Sequence, residues 1–235
     1  MQPSRPRAQR GQFPVMPQSY GTSVWGAPLL WFPAPQYDGP QGLVIAGTHG
    51  DENAAIVLLS CALRTLEPAL RRHHVILCMN PDGCQAGTRS NAHGVDLNRN
   101  FPAENWRPGD TVYRWNTQAP VRDVLLKTGE YAGSEPETSA LCALINRVQP
   151  AWVTSFHDPL ACIEDPDNTA IGQWLADAFS LPLVRSIGYS TPGSFGSWCK
   201  ARSLHCITAE LPPVSSDAAS ERWLAAMVDF LTLAL

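Results

Sequence analysis

LVIAGTHGDENAAIVLL, the stretch at residues 43–59, joins two apolar segments through a short polar turn. The first segment suits a buried strand, which we predict at 43–48, and the second has the length of a buried helix. Three ionisable residues lie between them: His49, Asp51 and Glu52. A strand that passes directly into a helix is the unit of α/β folds, whose ligands bind beyond the carboxyl ends of the strands. The stretch therefore indicates an α/β fold with functional groups in this turn.

The same alternation of strands and helices continues along the chain. We predict further strands at 75–80, 151–156, 183–187 and 206–209, a turn at the NPDG motif at 80–83, and helices at 53–66, 134–148, 169–179 and 220–234. Ser134 is the predicted N-cap of the second helix. Residues 84–133 show no regular period, and such a long irregular segment is usually functional. The pattern predicts an α/β fold class with a mixed central sheet flanked by helices on both faces.

Composition and charge exclude several classes of partner. The net charge of −4 and a single basic cluster at 71–74 give no face for nucleic acid. No apolar stretch reaches the roughly 18 residues that cross a bilayer, and the N-terminus lacks the apolar core of a secretory signal. Seven cysteines without a C-x-x-C motif are typical of reduced thiols. We therefore expect a cytoplasmic protein with no nucleic-acid or membrane partner.

The domain organisation follows from the same composition. Residues 1–27 are rich in proline, glycine, arginine and glutamine, and we expect them to form an extended N-terminal arm. Residues 28–235 contain no repeat, low-complexity tract or linker, so we expect them to form one folded domain.

Three predicted strands end in ionisable residues. His49 and Glu52 follow the first strand, His157 follows the strand at 151–156, and Glu210 follows the last strand. The topology of an α/β sheet brings such ends to one edge. Two histidines and one carboxylate suit Zn²⁺ and leave a fourth position open. Each motif alone is weak evidence, but their joint occurrence at corresponding strand ends predicts a metal site.

Four motifs, in this order and spacing, resemble the M14 zinc carboxypeptidase family. They are H-x-x-E at His49 and Glu52, GVDLNRNFP at 94–102, SFHDP around His157 and TAELP around Glu210. The resemblance extends over nearly the whole chain and is strongest to family members that act on murein peptides. It implies a zinc carboxypeptidase-like fold, with the folded domain as the catalytic domain.

The resemblance also implies the activity and its setting. The reaction would be hydrolysis of the γ-D-glutamyl–meso-diaminopimelate bond in murein peptides that are released and recycled during peptidoglycan turnover. The substrate would be the murein tripeptide L-Ala-γ-D-Glu-meso-diaminopimelate, the cofactor one zinc per chain, and the location the cytoplasm. The oligomeric state is left open, with a homodimer as one assembly.

The resemblance implies roles for the residues at the metal. The zinc ligands would be His49, Glu52 and His157. Glu210 matches the general base of the family, and Asp96 matches the carboxylate behind the first zinc histidine. A carboxylate in that place would fix the tautomer of His49.

Four further residues match groups that contact the substrate. Arg89 matches the arginine that polarises the scissile carbonyl. Asn98 and Arg99 match the pair that holds the substrate's terminal carboxylate, for which the fork of a guanidinium is suited. Tyr189 looks like the mobile tyrosine over the substrate.

The selection of the γ-linkage and of the diaminopimelate side chain is not settled by these matches. Residues 193–197 and the loop at 103–133 are candidates for the first. Three acids are available for the second: Asp158, Glu164 and Asp165.

Two other functions are consistent with part of this pattern. The chain could be a zinc-dependent N-acyl amino acid deacylase of the aspartoacylase or succinylglutamate desuccinylase type, because those enzymes share H-x-x-E and a later His and Glu. It could also be a non-catalytic module that binds murein peptides. Degenerate family members usually lose a metal ligand or the base, and all four groups are present here.

Overall fold

The computed structural model describes residues 16–114 and 123–234. These residues form ten strands: β1 Gln18–Thr22, β2 Pro28–Trp31, β3 Leu43–Ile45, β4 His74–Ile76, β5 Asp110–Arg114, β6 Asp123–Lys127, β7 Trp152–His157, β8 Cys162–Glu164, β9 Leu183–Val184 and β10 His205–Glu210. They form six α-helices: α1 Asn53–Thr65, α2 Pro81–Ala86, α3 Pro136–Val148, α4 Ala170–Phe179, α5 Phe195–Lys200 and α6 Ser216–Thr232. Short 3-10 turns lie at Pro68–Leu70 and Leu97–Arg99.

Six strands form the central sheet in the order β4-β3-β7-β10-β8-β9. The first four of these are parallel, whereas β8 pairs antiparallel with β10 and parallel with β9. The mixed sheet of the sequence prediction is therefore confirmed. Because β3, β7 and β10 are parallel neighbours, their carboxyl ends lie side by side at one edge.

Alternate residues of β3 face two separate apolar cores. Val44 packs in the core that includes α1, α4 and α6, whereas Leu43 and Ile45 pack in the core that includes α3 and α5. All three residues are fully buried, which explains why the strand is a continuous apolar run rather than an alternating one. The predicted covering of the sheet by helices on both faces is confirmed.

Two small antiparallel sheets differ from the sequence prediction. β5 pairs with β6 inside the segment that was expected to be irregular. β1 pairs with β2, and Tyr20 of β1 packs against the core under α3. The expected boundary after residue 27 therefore falls within a hairpin, and we propose that the folded domain reaches back to Gln18. Residues 1–15 of the expected arm lie outside the described residues.

Three helix starts also differ from the prediction. Helix α6, which was expected from residue 220, begins at Ser216 after the N-cap Ser215, whose side chain accepts the N–H of Ala218. Helix α3 begins at Pro136 with Glu135 as its N-cap, because the fixed φ of proline suits the first helical position. Ser134 instead donates its hydroxyl to Glu135 Oε1 at 2.7 Å, so the prediction of a serine cap is wrong. The NPDG motif begins helix α2, since Asn80 Oδ1 accepts the N–H of Gly83 at 2.9 Å.

All seven cysteines are free thiols. Within residues 16–114 and 123–234, no helix combines the length and the apolar character that crossing a membrane requires.

Candidate metal centre and active site

Three parallel strand ends supply the ionisable groups of the site. His49 follows β3, His157 is the last residue of β7, and Glu210 is the last residue of β10. Glu210 and His157 are register partners, so their side chains lie on the same face of the sheet. The structure thus brings together residues that are far apart in the sequence.

The side chains of His49, Glu52 and His157 converge on one point. Glu52 Oε1 lies 2.7 Å from His49 Nδ1, and Glu52 Oε2 lies 2.8 Å from His157 Nδ1. The two Nδ1 atoms are 3.1 Å apart. All three residues are buried, and in the described part of the chain they are the one group of at least three His, Cys, Asp or Glu residues that could hold a metal ion.

The other ring nitrogen of each histidine, Nε2, contacts a polar side chain on the side away from the shared point. His49 Nε2 lies 3.2 Å from Asp96 Oδ1, and His157 Nε2 lies 3.0 Å from Ser155 Oγ. These contacts orient both rings so that Nδ1 faces the shared point. Two nitrogens and one carboxylate in a buried cluster are a donor set that fits zinc.

Ser155 is a functional neighbour that the sequence analysis missed. It lies two residues before His157 on β7, and residues two apart on a strand point to the same face. This spacing was a signal from which the contact could have been inferred.

The turn between β3 and α1 holds its position by close backbone packing. A Cβ atom on Gly50 would overlap the backbone of Gly83 and Cys84 in α2, so the turn needs glycine here. Glu52 is the N-cap residue of α1, but its side chain makes no cap hydrogen bond. Its carboxylate instead faces the two histidines, which explains the acid at this helix start.

Asp96 joins His49 to Arg89. Its Oδ1 also accepts the N–H of Asn98 at 2.9 Å, and its Oδ2 accepts Arg89 Nε at 3.0 Å. Burial raises the pKa of Asp96, but the charges of Arg89 and His49 outweigh burial and hold this pKa well below its usual value. Asp96 therefore stays ionised, and it both caps the turn at Leu97–Arg99 and supports His49.

Arg89 lies at the edge of the metal cluster. Its Nη1 donates to Glu52 Oε1 at 3.1 Å, and its guanidinium carbon lies 4.8 Å from the centre of the Tyr113 ring. Tyr113 Oη donates to Asp51 Oδ2 at 2.6 Å. Tyr113 is a second neighbour that the sequence analysis missed, because it belongs to the segment that was expected to be irregular.

Asn98, Arg99 and Tyr189 line one cavity of about 1130 Å³ together with Glu52, Arg89, His157 and Glu210. Asn98 Oδ1 accepts the N–H of Phe195 at 2.9 Å, and this hydrogen bond leaves the amide nitrogen of Asn98 on the opposite side of the carboxamide. Arg99 Nη1 donates to the carbonyl of Asn98 at 2.7 Å. Tyr189 is 56% exposed, which fits a position at the mouth of the cavity.

Glu210 lies beside the metal cluster and is 8% exposed. Its Oε2 accepts the N–H of Leu160 at 3.4 Å. Burial raises the pKa of Glu210, whereas His157 lowers this pKa by a smaller amount and Glu52 raises it. A carboxylate with a raised pKa close to a metal site is suited to receive a proton.

Comparisons with known proteins agree with this geometry. The family model described as zinc carboxypeptidase, peptidase M14, matches residues 18–159. Murein peptide amidase A of Escherichia coli strain K12 is 68% identical over 97% of this chain and 94% of its own length. The protein of the same name from Vibrio campbellii is 53% identical over 96% of this chain and 91% of its own length.

A solved structure extends the similarity to three dimensions. The crystal structure of murein-tripeptide amidase MpaA from Escherichia coli O157 has a TM-score of 0.92 and 66% identity, and the match covers 100% of this chain and 99% of that one. Because the family model spans more than half of the chain and these relatives match nearly all of it, the chain belongs to the zinc carboxypeptidase family of zinc-dependent hydrolases.

Proposed function

We propose that this protein is a murein peptide amidase that hydrolyses the bond between γ-D-glutamate and meso-diaminopimelate in L-Ala-γ-D-Glu-meso-diaminopimelate during peptidoglycan recycling. The observation that carries the proposal is 68% identity to murein peptide amidase A over 97% of the chain. The cavity supports it, because Glu52, His157 and Glu210 line it. His49 joins Glu52 and His157 in a buried group that could hold a metal ion.

An amide resists hydrolysis because water is a poor nucleophile and the amine is a poor leaving group. Zinc held by His49, Glu52 and His157 would supply a Lewis acid that polarises a carbonyl and lowers the pKa of water toward about 7. In our proposal Glu210 takes the proton from the attacking water and delivers it to the leaving nitrogen. Glu210 lies beside the three metal-binding residues but is not one of them, so its carboxylate is free for this role.

Arg89 is proposed to stabilise the negative charge that develops on the carbonyl oxygen. Its contacts with Asp96 and Glu52 hold the guanidinium at the edge of the metal cluster, where that oxygen would lie. Loss of one such donor typically costs about 3 kcal/mol of transition-state stabilisation.

Arg99 and Asn98 are proposed to hold the carboxylate on the diaminopimelate carbon that bears the scissile nitrogen. Both line the cavity, and Arg99 presents a fork that can donate two parallel hydrogen bonds. Tyr189 at the mouth would cover the bound substrate. This carboxylate lies beside the scissile amide in α-linked and γ-linked peptides alike, so the same pair serves both.

The cellular setting is part of the proposal. Free thiols at all seven cysteines are in keeping with the reducing cytoplasm, where murein peptides would be recycled. A homodimer stays a prediction, to be tested by measuring the mass of the protein in solution.

The proposal is tested by incubating the zinc-loaded protein with the murein tripeptide and with a panel of N-acyl amino acids. Release of free meso-diaminopimelate and L-Ala-D-Glu is the expected result. A deacylase would instead release the acyl group from the N-acyl amino acids. A non-catalytic module would bind the tripeptide without forming product.

A further inference from the structure

The cavity continues beyond the metal edge of the sheet. Its floor at that edge is formed by His157 and Glu210, which are register partners on β7 and β10. Two residues earlier on the same strands, Ser155 and Thr208 are register partners, and Thr208 also pairs with Glu164 on β8. Paired residues share a face, so Ser155, Thr208 and Glu164 form a second row of the floor, roughly 7 Å from the first.

Glu164 is a carboxylate in this second row. It is half-buried, and its Oε1 accepts the N–H of Ile187 at 3.1 Å, which fixes the carboxylate. Among the residues that the structure describes, no lysine, arginine or histidine forms an ion pair with Glu164. A fixed, half-buried carboxylate that lines a cavity and has no cationic partner favours a cationic ligand group.

The two other acids left open by the sequence are placed differently. Asp165 is 1% exposed, and its Oδ2 accepts both the N–H and the hydroxyl of Thr169 at the start of α4. Asp158 lies at the metal edge next to His157 and not in the second row. Glu164 is therefore the one of the three acids that lies farther along the cavity floor than the reacting groups.

Diaminopimelate carries an ammonium group at the far end of its side chain, three methylene groups beyond the carbon that bears the scissile nitrogen. With its near carboxylate on Arg99, this side chain would extend along the cavity floor from the first row to the second. We propose that Glu164 binds this ammonium group and is the residue that distinguishes diaminopimelate from residues without a distal amine. The inference rests on the proposed function and names the residue that reads the side chain.

The test uses the zinc-loaded protein, the variant Glu164→Gln and the matched control Asp167→Asn. Asp167 also lines the cavity, but it is exposed and pairs with His205 at 2.9 Å. The substrates are L-Ala-γ-D-Glu-meso-diaminopimelate and the same peptide ending in L-2-aminopimelate, which lacks only the distal amine. The readouts are kcat/KM and the inhibition constants of free meso-diaminopimelate and free 2-aminopimelate. Zinc content and circular dichroism establish that each variant is folded and loaded.

For the wild type and for Asp167→Asn, we expect removal of the amine to lower kcat/KM by roughly 10- to 100-fold. For Glu164→Gln we expect a similar loss on the diaminopimelate peptide and little further loss on removal of the amine. The inhibition constants should follow the same pattern. Equal discrimination by Glu164→Gln and the wild type, in a folded variant, would overturn the inference. Absence of cleavage of the tripeptide by the wild type would instead overturn the proposed function.

Discussion

Glu210 is close to the metal cluster but is not one of its three members. Replacing it by glutamine keeps the shape and removes the ability to accept a proton. We expect Glu210→Gln to bind zinc and tripeptide normally and to lose roughly 10²- to 10⁴-fold in kcat, the range that general acid–base groups contribute. Metal analysis, a binding titration and steady-state kinetics on the same preparation measure these quantities. A kcat near that of the wild type would exclude Glu210 as the base.

Arg99 offers a second test at the scale of single residues. Its removal should cost roughly 2–5 kcal/mol in kcat/KM, because a charge-assisted contact is lost that the bound substrate would shield from water. Arg99→Lys keeps the charge and loses the fork, so its loss should be smaller than that of Arg99→Ala.

The carboxylate partner of Arg99 can be identified with a second substrate. Amidation of the diaminopimelate carboxylate next to the scissile bond should impair the wild type strongly and Arg99→Ala hardly further, because both changes remove one contact. The measurement is kcat/KM for both enzymes on both substrates. Additive losses would show that the guanidinium and this carboxylate do not meet.

At the scale of elements, the turn between β3 and α1 depends on the close approach of Gly50 to α2. We expect Gly50→Ala to lower the free energy of unfolding by about 1–3 kcal/mol, as overpacking does, and to weaken zinc binding. Denaturant titration and a zinc competition assay measure the two effects. Gly196→Ala is the matched control for stability, since a Cβ there meets no atom within 4 Å. Unchanged stability and zinc affinity in Gly50→Ala would show that the turn adapts without cost.

The strands that carry the metal cluster could be predicted from the sequence. The antiparallel pair of β5 and β6, which carries Tyr113, could not. Strands such as β3 are buried on both faces, so their apolar runs stand out from the sequence. In the hairpin, Val112 and Leu125 are 62% and 67% exposed, so apolar side chains point outward. The burial of the side chains alternates along β5 and β6, but their hydrophobicity does not. The sequence therefore lacks the period of two residues by which a strand is recognised.

At the scale of the whole molecule, the sequence order of the motifs predicted which groups meet, because parallel topology brings strand ends together. The second row of the cavity floor could not be predicted in this way. Glu164 takes its place there through antiparallel pairing of β8 with β10. β8 has only three residues, which is too short for the sequence to show the period of a strand. A residue that depends on such a register is visible only in the structure.

The metal cluster joins distant parts of the molecule, since Glu52 and His157 are 105 residues apart. The unfolded chain does not hold these groups together, so zinc binds the folded state and stabilises it.

A free zinc concentration of about a thousand times Kd would add about 4 kcal/mol to the free energy of unfolding. For a chain of this length, removal of zinc should then lower Tm by roughly 8–16 °C. Calorimetry with and without a strong chelator measures the shift. His49→Ala is the control, and chelation should hardly change its Tm. Metal analysis must show that the chelator has removed zinc from the wild-type protein. If the Tm of this zinc-free protein is unchanged, the cluster is held together by the fold alone.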